Sequence, residues 1–122
     1  ERAVRILTAV QVLVQRAPRA LGPEALAADW HTGTVLELGI VGELEGPDTQ
    51  LLLDQIRRRY LPFSVLACVP SGDNSARENL PWMERKVARG GKATAYLCQD
   101  RSCQVPTTEP SGLGTQLDGA IT

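Results

Sequence analysis

Apolar residues change their spacing several times along this chain, and the changes mark the elements. Over residues 3–17, Ala3, Ile6, Leu7, Val10, Leu13, Val14 and Ala17 recur at three- and four-residue steps. That spacing predicts a helix. Val4 and Val12 widen its apolar face beyond what a surface helix of a small domain needs. The excess predicts packing against something further, either the rest of a parent chain or a second copy in a homodimer. Pro18 stops this helix, and Pro23 sits where a second helix would begin, running to His31-Thr32-Gly33.

The period then shortens. Residues 34–41 are rich in branched side chains and bounded by Gly33 and Gly42, which predicts a strand. Leu36, Leu38 and Ile40 fall on one face; Val35, Glu37 and Val41 fall on the other. After a loop over residues 42–47, Asp48 or Thr49 is expected to cap a helix with Leu52, Leu53, Ile56 and Tyr60 inward. Residues 63–69 are nearly all apolar, as in a strand buried on both faces. Strand, helix and strand together predict a parallel βαβ unit.

Residues 70–79 read as a turn-rich, mobile loop. The following Leu80-Pro81-Trp82-Met83 predicts one helical turn laying Trp82 on the core. Gly90-Gly91 precede a strand over 93–99, and Asp100-Arg101 read as a tight turn into a strand over 102–106. Thr107 or Thr108 would cap a last helix, weakened by Gly112, Gly114 and Gly119. The predicted fold class is α/β: a small mixed sheet with a parallel βαβ unit and an antiparallel C-terminal hairpin, preceded by N-terminal helices. The predicted division is a helical segment over 1–33 and a small α/β domain over 34–122.

Composition narrows the function classes. The chain has 122 residues, 43% of them apolar and 22% charged, with a net charge of −1. This balance suits one globular core and offers no electrostatic footprint for nucleic acid. Arg57, Arg58 and Arg59 are the basic run, and they end a predicted helix, where cations complement its dipole. No apolar run reaches the ~18 residues of a membrane span. Three cysteines are too few and too odd for a disulfide scaffold, which points to a cytoplasmic setting. The start at Glu1, without methionine, points to a piece of a longer protein.

Candidate chemistry is sparse. The Gly42-Glu43-Leu44-Glu45-Gly46 loop joins a strand to a helix, where phosphate loops occur, but Glu43 and Glu45 repel an anion. It reads as a plain connection, and no cofactor is implied. Cys98 and Cys103 are the notable pair. With Asp100 and Arg101 as turn residues they face each other in a non-hydrogen-bonded pair, ~4.5 Å apart at Cα. That spacing permits a disulfide. Two reduced thiols are the competing state, and the favoured one in a reducing compartment. The thioredoxin-type spacing at a helix start is missing, so a catalytic redox site is the weaker reading of the pair. Cys68 reads as a small core residue. Zinc would require Cys68, Cys98, Cys103 and His31 together, which is not a zinc spacing, so no metal site is expected. His31, Glu37, Asp54, Trp30 and Trp82 suggest cap, surface or packing roles, and no catalytic residue is assigned.

Tyr96, Cys98, Cys103, Pro106, Glu109 and Pro110 form a pattern: an aromatic-containing strand, two cysteines with four residues between them, a proline and an acidic helix start. It resembles the C-terminus of the thioredoxin-domain-containing family related to spermatogenesis-associated protein 20. The specific match covers residues 93–110. A looser order of features extends over nearly the whole chain, and Leu97 departs from the expected Val. The resemblance implies a parent with a thioredoxin-like domain and a helical toroid similar to the six-hairpin glycosidases and sugar epimerases. The family's cysteines and toroid pocket would lie upstream of Glu1. The expectation is a non-catalytic accessory domain that packs on those upstream domains through the residue 3–17 helix. The alternative is a small thiol/disulfide redox domain using Cys98 and Cys103.

Overall fold

The computed structural model describes residues 1–121. Its chain divides into two compact units, Glu1–Thr34 and Val35–Thr122.

The first unit is a helix pair. Helix α1 spans Arg2–Arg16 and α2 spans Gly22–Thr32, with Pro23 in the first turn of α2. The Gly33 N–H closes α2 onto the Asp29 carbonyl at 2.7 Å. Neither helix has a buried residue. In α1, Leu7, Val10 and Val14 are half-buried, while Val4, Ile6, Val12 and Leu13 stay 41–57% exposed.

The second unit contains a four-stranded mixed sheet in the order β2-β1-β3-β4. Strand β1 spans Leu36–Val41, β2 Ser64–Val69, β3 Thr94–Gln99 and β4 Ser102–Cys103. The β1–β2 pair is parallel and is joined through helix α3, Pro47–Arg57. The β1–β3 and β3–β4 pairs are antiparallel. A final helix α5 spans Pro110–Ile121. The expected α/β class, with a parallel βαβ unit and a C-terminal hairpin, is the observed one.

Two clusters make the core. Leu36, Leu38 and Ile40 of β1 and Ala95 and Leu97 of β3 meet Leu52, Leu53 and Ile56 of α3 and Leu113 and Leu117 of α5. On the opposite face Val41, Val69 and Tyr96 pack on Met83. The alternation of β1 thus feeds both faces, as its period of two requires.

Several expectations need correction. Strand β2 is not buried on both faces: it lies at a sheet edge, and Val65 and Leu66 are 39% and 46% exposed. Its second half is covered, Cys68 by one core cluster and Ala67 and Val69 by the other, while Val65 and Leu66 at its start are not. Tyr60 does not face inward. Helix α3 ends at Arg57, so Tyr60 lies beyond it and is exposed. Gly46, not Asp48 or Thr49, is the N-cap of α3.

Part of the 70–79 loop is ordered as a short helix α4, Ser75–Glu78. The Asp73 carboxylate accepts from Ser75 Oγ–H at 2.8 Å and Ala76 N–H at 3.1 Å there. The 3₁₀ turn Pro81–Met83 forms and lays a half-buried Trp82 against the core as expected, while Met83 is its fully buried plug. Strand β4 is shorter than 102–106. Pro106 has no N–H to donate, and the ladder resumes one residue later, where Ala95 and Thr107 pair.

The glycines do not dissolve α5. Gly114 lets α5 approach α3: a Cβ there would lie 3.0 Å from Gln55 Oε1 and 3.1 Å from an Arg59 terminal nitrogen.

Candidate functional site

The cysteine pair is built by a two-residue turn. Asp100 and Arg101 both have positive φ, 50° and 64°. Such a turn matches the twist of the flanking strands. It sets Gln99 against Ser102 and Cys98 against Cys103. The two sulfurs are bonded at 2.03 Å, with their Cα atoms 3.9 Å apart. The geometric permission read from the sequence is therefore realised as a disulfide, and the reduced pair favoured on compartment grounds is not the state of this structure.

The pair sits at the end of a rung that crosses the whole sheet. Val65 of β2 stands opposite Glu37 of β1, Glu37 opposite Cys98 of β3, and Cys98 opposite Cys103 of β4. Residues in register across a sheet project to the same face. Cys98 is 1% exposed, whereas Cys103 is solvent-exposed. Sequence reasoning missed Glu37 as a neighbour of the cysteines, because the β1–β3 register is a long-range fact that no local pattern contains.

Lys86 belongs to the same neighbourhood. Its ammonium donates to the Trp82 carbonyl and lies 5.3 Å from the Trp82 ring and 5.8 Å from the Tyr96 ring. Burial pushes its pKa down, and the Glu37 charge opposes that shift. The Tyr96 hydroxyl donates to the Val87 carbonyl at 2.6 Å and accepts from the Val87 N–H at 3.0 Å. These contacts fasten residues 82–87 to the sheet face.

Cys68 is separate. It is in register with Ile40 on β1, so it projects to the face opposite Cys98. It is a half-buried free thiol packed against the core, 3.8 Å from the Gly42 carbonyl. Burial first, and then Glu43, raise its pKa. His31 is exposed in the last turn of α2. Among the described residues no group of three or more His, Cys, Asp or Glu side chains is gathered for a metal.

The loop after β1 is occupied by the protein itself. The Asp48 carboxylate accepts from Thr49 N–H at 2.9 Å and from Ala93 N–H at 2.7 Å. An anion at the start of α3 would compete with that carboxylate for the same donors. Arg57 and Arg59 likewise have partners, Asp54 at 3.3 Å and Asp118 at 2.6 Å. Among the described residues no helix is long and apolar enough to cross a membrane.

Comparison with known proteins gives one consistent answer. No family model and no solved structure matches the chain. Over 115 residues, 93% of its length, it is 30% identical to spermatogenesis-associated protein 20 of Homo sapiens. The corresponding proteins of Rattus norvegicus and Mus musculus are 29% and 28% identical over the same length. The chain spans 14% of the length of each of these relatives.

Proposed function

Starting from the homology of this chain to one part of the spermatogenesis-associated protein 20 family, we propose that it is an accessory, non-catalytic domain of a longer protein. On this reading it docks on the remainder of its parent chain through α1. The observation that carries the reading is the exposure of α1. Ile6, Val12 and Leu13 are each more than half exposed, although the helix is mostly apolar. Covering such side chains is worth roughly 25 cal/mol per Å² of apolar surface removed from water. A groove of about 350 Å³ between α1 and α2, lined by Val4, Leu7, Gln11, Val14, Ala28 and His31, gives a docking segment a seat. The occupant is taken to be the parent chain because the homologous stretch is so small a share of the relatives.

The test is association of the 122-residue chain with the separately expressed remainder of its parent. Binding is expected, and Leu13→Glu is expected to weaken it by more than about tenfold. Absence of association, or binding indifferent to Leu13→Glu, would overturn the docking role. The non-catalytic part is read from insulin reduction by dithiothreitol. The chain should not accelerate it. Acceleration that disappears with Cys98→Ser would establish the redox-domain alternative instead.

A further inference from the structure

We infer that the Cys98–Cys103 bridge is a reversible latch whose exchanging sulfur is Cys103, and that thiols of the glutathione or dithiol class open it. The two cysteines are chemically unequal. Cys103 is exposed on an edge strand two residues long, while Cys98 is 1% exposed in the central part of the sheet. Thiol–disulfide exchange requires the attacking thiolate to reach one sulfur in line with the bond that breaks. Only Cys103 offers that approach. Attack there expels Cys98 as the leaving thiolate, which its burial and the Glu37 residue directly opposite on β1 disfavour, so it is exposure alone that selects Cys103.

The electron balance is simple. A thiolate attacks Cys103 Sγ, a new S–S bond forms to Cys103, and the Cys98–Cys103 bond breaks. Its electron pair passes to Cys98 Sγ, which takes a proton from water. A second thiolate then attacks the incoming sulfur of the mixed disulfide. The reagent leaves as its own disulfide, and Cys103 leaves as a thiolate that is protonated in turn. Two thiols are oxidised and one disulfide is reduced. The reverse sequence closes the latch.

What the latch holds is equally local. Beyond β4, the segment up to α5 is tied to β3 by the Gln104 N–H to the Leu97 carbonyl at 2.9 Å and by the Ala95–Thr107 pair. Val105 between them is 77% exposed. The core rung behind it is anchored independently: Leu38, Ile40, Leu52 and Leu97 are 0–2% exposed. Opening the bridge therefore loosens the β4 edge over residues 100–106 and leaves the β2-β1-β3 part of the sheet intact.

The experiment uses the oxidised chain, with Cys68→Ser to remove the third thiol, in a glutathione redox buffer. Acid quenching and peptide mapping should find the glutathione adduct on Cys103 at least about tenfold over Cys98. Hydrogen exchange after full reduction should rise at residues 100–106 and stay unchanged at residues 38–41. An adduct equally on Cys98, a bridge that opens only in denaturant, or faster exchange through β1 would each overturn the latch. Should Cys68→Ser fail to fold, the same adduct ratio is read on the wild-type chain, where Cys68 maps to its own peptide.

Discussion

The Asp48 carboxylate takes a hydrogen bond from the Ala93 N–H at 2.7 Å, joining the first turn of α3 to the residue that leads into β3. Its other oxygen accepts from Thr49 N–H at 2.9 Å. One side chain thus ties the start of β3 to the first turn of α3, and it also complements the positive end of the helix dipole.

That double acceptance predicts the effect of Asp48→Asn. One oxygen becomes an NH2 group, which would point a donor at a donor. The expected loss is about 1–2 kcal/mol, the cost of leaving a part-buried N–H without its acceptor. Urea unfolding monitored by Trp fluorescence measures it. A variant within error of wild type would show that the bridge is not maintained in solution.

The same residue fixes a pH dependence. The Ala93 N–H foremost, with help from Thr49 and Lys92, holds the Asp48 carboxyl below its ordinary value of 3.8. Asp73 is lowered by the Ala76 N–H, and Asp118 by its hydrogen bond from Arg59. With folded-state values depressed, the unfolded chain binds protons more readily. The stability these groups contribute is complete above the ordinary aspartate range and is lost as pH falls through their folded values. Thermal midpoints measured from pH 6 down to pH 2 should therefore fall on the acid side. Asp48→Asn should show a shallower fall, and a parallel curve would refute the assignment.

At the other end of α3, Arg59 reaches α5. It grips Asp118 with two contacts of 2.6 and 3.1 Å and donates to the Gln55 and Gly114 carbonyls at 2.6 and 3.3 Å. Asp118 is mostly exposed, so solvent screens the ion pair and it contributes little by itself. Arg59→Ala also removes the carbonyl contacts and the packed stem, so it should cost about 1–2 kcal/mol, more than Asp118→Asn. Equal losses in chemical denaturation would mean that the salt bridge alone matters.

Much of this framework is legible in the sequence for physical reasons. The shift from helical to strand spacing around Gly33 survives because β1 sits in the middle of the sheet and uses both faces. The Cys98–Cys103 register is legible because a two-residue turn leaves no freedom in pairing. Other features depend on who neighbours whom. The sequence of β2 reads as doubly buried, yet nothing local says that it is an edge strand. Leu80 to Met83 announce a turn, but that Met83 is the fully buried member, with both Met83 and Trp82 close to Gly39 of β1, is a long-range fact. Glu37 beside the cysteines and Asp48 beside Ala93 are products of long-range register. The redox state of the pair was open because spacing permits a bond without requiring it.

Gly39 supplies a sharper test of that packing. A Cβ at this position would lie 2.5 Å from Met83 Sδ and 3.3 Å from the Trp82 ring. Met83 is fully buried and cannot swing into solvent. Gly39→Ala should destabilise by about 1–3 kcal/mol through overpacking. Met83→Ala alone should also destabilise, by leaving a cavity. The double variant should be more stable than the sum of the two losses, because the new methyl fills part of the vacated space. Strict additivity in a double-mutant cycle would show that the two residues do not meet.

The hairpin turn carries a cost that one substitution can remove. Arg101 holds φ at 64°, in the left-handed region where a residue with a Cβ is disfavoured by roughly 1 kcal/mol. Arg101 is exposed and lies outside both core clusters. Arg101→Gly would place Asp-Gly in a turn with two positive φ values, the pairing such turns favour. The greater freedom of glycine in the unfolded chain offsets part of the gain. The bridge between Cys98 and Cys103 already limits that freedom in the oxidised protein, so the substitution should raise stability by a few tenths to about 1 kcal/mol there. In the reduced protein the unfolded glycine is less restrained, and the gain should be smaller. Paired melts with and without dithiothreitol read both values. Destabilisation in the oxidised state would mean that Arg101 makes a contribution beyond the shape of the turn.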